Sequence, residues 1–261
     1  MYRIFKNWLQ KTMLPRATQY QKQEELYTGW TEVLIAKDDK HIRTYFRRQK
    51  SMSEGMVILC HPYVISASQF FLERGHAAMY FELGYDVCIF DFNGFGLSRF
   101  EDFDFWKDIK IVHDFIRAES FATPIHLHGI SFGAAQIILF LTKENLTINA
   151  IIENCLDQNT SYYKVRNRKI YQFFKVLMAV IPGFNKDHVY TKTIKNMYNT
   201  NTLFIYNKQD TLTTIAMGQK LFASLPSAQK QFTILEGRHL EAITLQPTEY
   251  KDIIDQFLNT R

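Results

Sequence analysis

Apolar residues in this chain alternate between short continuous runs and longer stretches spaced three and four apart. Met56-Val57-Ile58-Leu59-Cys60 is a continuous run, as a strand buried on both faces requires. Runs of the same kind follow at Asp86 to Phe90, Ile125 to His128, Ile148 to Ile152, Thr202 to Tyr206 and Gln231 to Leu235. Between them, the spacing predicts helices over Gln69 to Leu83, Phe105 to Glu119, Phe132 to Lys143, Thr214 to Ser224 and Pro247 to Leu258. Strand and helix alternate, so the expected class is α/β, a mostly parallel central sheet with helices on both faces. Ahead of it, Thr31 to Ala36 and Ile42 to Arg47 alternate in polarity around Lys37-Asp38-Asp39-Lys40, which predicts a hairpin and an antiparallel N-terminal edge.

One segment breaks the rhythm. Residues 155–200 separate two core strands and are too long for a simple crossover. They hold a strongly apolar helical stretch, Lys169 to Ile181, closed by Pro182-Gly183, and read as an inserted helical lid. The expected division is an N-terminal amphipathic helical segment over 1–28, a core formed by 29–154 and 201–261, and the lid over 155–200. In the first segment Ile4, Phe5, Trp8, Leu9 and Met13 recur at helical spacing among Arg3, Lys6, Lys11 and Arg16. Two readings of it stay open: a helix docked on the protein body, or an interfacial helix giving peripheral membrane contact through residues 1–16.

Composition narrows the function classes. A hydrophobic content of 46% in 261 residues supports one sizeable core. The net charge of +5 is mild, and its densest cluster is only Arg47-Arg48-Gln49-Lys50, so no nucleic-acid partner is expected. Cys60, Cys88 and Cys155 all sit in or beside apolar runs without C-x-x-C spacing, which points to neither a metal, a redox pair nor a disulfide framework. No cofactor and no obligate protein partner is expected. With no signal-peptide pattern and no apolar stretch near the ~18 residues of a spanning helix, the expected location is cytoplasmic, at the inner membrane face if the first helix binds lipid.

The chemistry concentrates at Gly129-Ile130-Ser131-Phe132-Gly133, a G-x-S-x-G pentapeptide between a buried strand and a helix that opens with small residues. In that context the serine stands on a tight strand-to-helix turn with its hydroxyl exposed at the carboxyl edge of the sheet. A nucleophilic serine needs a base, and the base an orienting acid. Two later strands run into loops that supply them in chain order: Phe204 to Tyr206 leads to Asp210, and Ile234-Leu235 leads to His239. Asp157, just after the strand that precedes the lid, is the rival acid, and Asp210 also suits a helix N-cap. Stabilisation of an oxyanion is expected from the Phe132 amide and a second amide in His61-Pro62-Tyr63-Val64. Proline has no N–H, so Tyr63 is the first candidate and Val64 the second. His61 reads as a residue that ties this loop down, and Asp91 and Ser98 as anchors of the tight Asp91 to Ser98 loop.

Over about Met56 to Leu258 these pieces resemble the α/β-hydrolases, on His61-Pro62, Asp91 to Ser98, Gly129 to Gly133, Asp210 and His239. Ile151-Ile152-Glu153-Asn154, with Asn93-Gly94-Phe95-Gly96, looks like the small branch that holds lysophospholipase-like esterases and protein depalmitoylases. The chain departs from that pattern in Pro62, where glycine is usual, and in Ala134 after Gly133. The resemblance implies a serine hydrolase that cleaves an ester or thioester through an acyl-enzyme on Ser131. The Phe- and Tyr-rich lid adds the expectation of a small-molecule substrate with an apolar acyl or aromatic group. Acyl transfer by the same triad and an impaired hydrolase serving as a binding module remain the alternatives.

Overall fold

The computed structural model describes residues 19–119, 121–161, 164, 168–180 and 189–259. The amphipathic stretch of residues 1–16 and Pro182-Gly183 lie outside them.

After a 3-10 turn at Glu24–Tyr27 come β1 (Thr31–Lys37) and β2 (Lys40–Arg47), paired antiparallel from Thr31 opposite Phe46 to Lys37 opposite Lys40. Asp38 and Asp39 turn the hairpin with φ of 50° and 61°, a left-handed pair that aspartate tolerates better than most residues. Then come β3 (Met56–Cys60), α1 (Phe70–Glu73), α2 (His76–Glu82), β4 (Asp86–Phe90), α3 (Trp106–Ala118), β5 (Ile125–Ile130) and α4 (Phe132–Glu144). After β6 (Asn149–Glu153) follow α5 (Arg168–Val180) and α6 (Tyr190–Thr193), then β7 (Asn201–Asn207), α7 (Ile215–Ser224), β8 (Lys230–Leu235), α8 (Ala242–Leu245) and α9 (Pro247–Asn259). The expected single helix over Gln69 to Leu83 is two, broken at Gly75, whose φ of 85° ends one and starts the other. Periodicity carries across such a break because both halves bury residues on the same layer, Phe70 and Phe71 before it, Tyr80 after it.

Among the described residues, eight strands form one sheet in the order β1-β2-β4-β3-β5-β6-β7-β8, parallel from β4 across to β8 and antiparallel at the β1-β2 edge. The continuous apolar runs are explained by the layers. Met56, Ile58 and Cys60 of β3 face one apolar cluster, which α3, α4, α6 and α7 cover. Val57 and Leu59 face the other, covered by α1, α2, α8 and α9. The inner strands β3 and β4 are buried at every position because both of their faces are covered, whereas the outer strands β1 and β8 are partly exposed. Cys60, Cys88 and Cys155 are free and buried, and burial pushes all three thiols above the ordinary range, so they serve as small apolar residues. No described helix is long and apolar enough to cross a membrane.

This parallel order has a consequence for chemistry. Strands β3, β5, β6, β7 and β8 all end on one edge, and their following loops converge there.

Candidate active site

Ser131 sits between the last residue of β5 and the first of α4, with φ 53° and ψ −108°. That conformation is costly for a residue with a Cβ, on the order of 1–3 kcal/mol, and persists only where neighbours enforce it. The enforcement is visible. The Ser131 amide donates to the Glu153 carbonyl at the end of β6 at 2.8 Å, and the two flanking glycines leave room for close backbone approaches on either side. A Cβ on Gly129 would lie 2.6 Å from the Ala134 nitrogen, and one on Gly133 only 1.9 Å from the Cys60 carbonyl oxygen. The pentapeptide's glycines are thus dictated by α4 folding back on β5 and pressing onto the end of β3.

The three residues expected to act together meet. Ser131 Oγ–H donates to His239 Nε2 at 3.2 Å, and His239 Nδ1–H donates to Asp210 Oδ2 at 2.6 Å. Asp210 follows β7 and His239 follows β8, and the two loops are pinned together beyond the sheet. Lys208 N–H bonds the Leu235 carbonyl at 2.8 Å, Gln209 N–H the Gly237 carbonyl at 2.9 Å, and Asn207 Nδ2–H the Arg238 carbonyl. The Asp210 carboxylate is buried and uses both oxygens. Oδ1 accepts the amides of Leu212 at 2.7 Å and Thr213 at 3.0 Å, while Oδ2 takes His239 and the Thr213 hydroxyl. Turn anchor and candidate acid are therefore one residue, with Thr214 as the N-cap of α7. Burial would raise the Asp210 carboxyl, but the hydrogen bond and charge of His239 and the Thr213 donors outweigh it and hold the group below the usual carboxylate range. Asp157, the rival acid, is bonded instead to the Ser161 hydroxyl at 2.7 Å and the Lys220 ammonium at 3.2 Å.

The opposite wall is the loop after β3. The Phe132 amide is the first of α4, where no intrahelical acceptor exists. Tyr63 lies across from it, its ring edge-on to Phe132 at 5.6 Å and to Phe95 at 5.2 Å. The Val64 amide, the second candidate, is taken by the Pro62 carbonyl at 2.9 Å. His61 ties this loop down: Nδ1–H donates to the Pro62 carbonyl at 2.7 Å, and Nε2 accepts the Phe92 amide at 3.1 Å. Complete burial depresses the imidazole to about 4, only partly opposed by the Pro62 bond, so it stays neutral with a fixed tautomer. Pro62 thus gives up a donor but supplies the carbonyl on which the loop is organised. The Asp91 carboxylate accepts Ser68 and Leu97, and Ser98 Oγ–H donates to the Asp91 carbonyl at 2.8 Å, which anchors the second loop.

Sequence reasoning did not single out Thr213, nor the network beneath Ser131. There, Glu153 accepts the Tyr250 hydroxyl at 2.5 Å and His128 Nε2–H at 3.1 Å, while His128 Nδ1 meets the Tyr80 hydroxyl at 2.9 Å. Thr213 had a signal, a hydroxyl three residues after an acid, which is the spacing of a side-chain-closed turn. The network had none, since its members come from α2, β5, β6 and α9.

No protein-family model matches the chain, and no curated protein matches it. Among solved structures it is similar to the esterase Pf2001 of Pyrococcus furiosus, at 17% identity and a TM-score of 0.75, with 94% of this chain and 95% of that chain covered. It is also similar to an alpha-beta serine hydrolase homologue from Coxiella burnetii, at 16% identity and a TM-score of 0.61, with 87% and 96% covered. A thioesterase domain from the curacin biosynthetic pathway matches at 14% identity and a TM-score of 0.59, with 88% and 99% covered. At these identities the likeness is one of architecture: the chain has the α/β-hydrolase fold.

Proposed function

We propose that the protein is a serine hydrolase that cleaves carboxylic esters or thioesters through an acyl-enzyme on Ser131. The observation that carries this reading is the unbroken hydrogen-bond chain Ser131–His239–Asp210, hung on a serine with a strained backbone. The Ser131 to His239 separation of 3.2 Å is within general-base reach. In the proposed cycle His239 Nε2 takes the Ser131 proton as Oγ attacks the acyl carbon. The amides of Phe132 and Tyr63 receive the oxyanion, each worth about 3 kcal/mol of barrier. His239 then hands its proton to the departing alkoxide or thiolate, Asp210 holding the imidazolium meanwhile. Water, deprotonated by the same imidazole, releases the acid and restores the serine.

An apolar or aromatic acyl group is supported by the rings beside the nucleophile. Phe132 packs edge-on to Phe92 at 5.2 Å and Phe105 at 5.1 Å, and Tyr63, which is 44% exposed, closes the solvent side. The segment between β6 and β7 is proposed to cover this side as a lid; Phe173 and Val176 of α5 are exposed apolar residues that would face substrate.

The test is hydrolysis of p-nitrophenyl esters and acyl thioesters of graded chain length by wild type and Ser131→Ala. Turnover that rises with acyl length and disappears in the variant is expected. Equal turnover by both proteins would sink the proposal.

A further inference from the structure

Thr213 is buried between the two groups that orient the nucleophile. Its hydroxyl donates to Asp210 Oδ2, the oxygen that also receives His239 Nδ1–H, and its own oxygen lies 3.1 Å from that nitrogen. Its amide donates to Asp210 Oδ1 at 3.0 Å. One residue therefore grips the carboxylate at both oxygens. A hydroxyl has a single proton, and Asp210 takes it; the imidazole N–H goes to Oδ2 at 2.6 Å, with the Thr213 oxygen at 3.1 Å as the weaker second acceptor. The same bond has an electrostatic side. Donating to a carboxylate spreads its charge and lowers its basicity, which moderates the pull of Asp210 on a protonated imidazole.

We propose that Thr213 is a positioning residue of the triad, whose hydroxyl locks the Asp210 carboxylate against His239. Thr213 acts through Asp210 and His239. The other charged or titratable neighbours are accounted for. Tyr206, beneath Asp210, gives its hydroxyl to the Cys155 carbonyl at 2.7 Å. Glu241 takes the Arg238 amide at 2.8 Å, Asp157 is paired with Lys220, and Ser131 faces the far nitrogen of the ring. The kinetic consequence rests on Ser131 being the nucleophile; the effect on the imidazole does not.

The experiment compares wild type, Thr213→Val, Thr213→Ala and Thr213→Ser, following the His239 ring by NMR across the acid-to-neutral range. Losing one hydrogen bond to the carboxylate is expected to move the His239 midpoint up by about half to one pH unit in the Val and Ala proteins. Thr213→Ser, which keeps the hydroxyl, is expected to titrate with wild type. Below the midpoint, acylation of Ser131 by an activated ester should slow about three- to tenfold in Val and Ala and recover in Ser. Coincident titrations of wild type and both hydroxyl-free variants overturn the proposal. If the midpoints move as expected while even wild type leaves Ser131 unacylated, Thr213 keeps its assignment and the nucleophile reading fails.

Discussion

Two histidine–carboxylate pairs among the described residues lie near Ser131, and they are built to opposite ends. His239 meets Asp210 at 2.6 Å in a site where the imidazole stays 19% exposed and its second nitrogen faces Ser131. His128 meets Glu153 at 3.1 Å with both side chains buried, and its second nitrogen is closed off by the Tyr80 hydroxyl. The first pair leaves one nitrogen facing the Ser131 hydroxyl, the arrangement the proposed mechanism uses. The second has both ring nitrogens engaged by protein, and the Tyr250 hydroxyl adds a further donor to Glu153 Oε2. Its neighbourhood fixes β5 against β6, and the Glu153 carbonyl holds the Ser131 amide. On the proposed reading, the same two functional groups serve chemistry or architecture according to what the last nitrogen faces.

Breaking the first pair should change rate and leave the fold. Asp210→Asn is expected to lower kcat/KM on a small ester by about 10⁴-fold, or about 5.5 kcal/mol of barrier, with little change in melting temperature. Steady-state kinetics beside thermal unfolding checks both halves. Breaking the second pair should do the reverse. Glu153→Ala, which leaves His128 without its partner, is expected to cost about 3–5 kcal/mol in urea unfolding, while the folded fraction still reacts at Ser131. Tyr250→Phe removes one neutral donor from the same carboxylate and should cost about 1–2 kcal/mol by the same assay.

The smallest effect is linked to pH. Burial would raise the Glu153 carboxyl, but the hydrogen bond and charge of His128, the nearby His76 and the Tyr250 hydroxyl outweigh it, so folding holds the group below its ordinary value. A depressed carboxyl contributes stability that is fully present above the unfolded value of about 4.3 and is lost as pH falls through the lower folded value. The advantage of wild type over Glu153→Gln in urea titrations should therefore be constant near neutrality and shrink on acidification below about pH 4. An advantage that grows in acid would contradict the network described for Glu153.

The contrast also marks what the sequence could carry. The strands were legible because a sheet covered on both faces demands unbroken apolar runs, and their ends fell within a residue or two of expectation. Ser131, Asp210 and His239 were legible because each follows such a run on the same edge. Both acids were readable as candidates, and only the fold separates them, by handing Asp157 to Lys220. The break at Gly75 was hidden by apolar spacing that continues through it. The His128 and Glu153 side chains were hidden more deeply: a polar residue inside an apolar run says only that it needs a partner, and the partners come from elements far apart in sequence. Pro62 read as a lost donor, whereas its carbonyl turned out to organise the loop.

The most direct measurement is to treat the folded protein with a fluorophosphonate and locate the adduct by peptide mass spectrometry. Stoichiometric phosphonylation of Ser131 in wild type, lost in His239→Ala, is the predicted result. An unlabelled protein, or an adduct on another residue, would contradict the account.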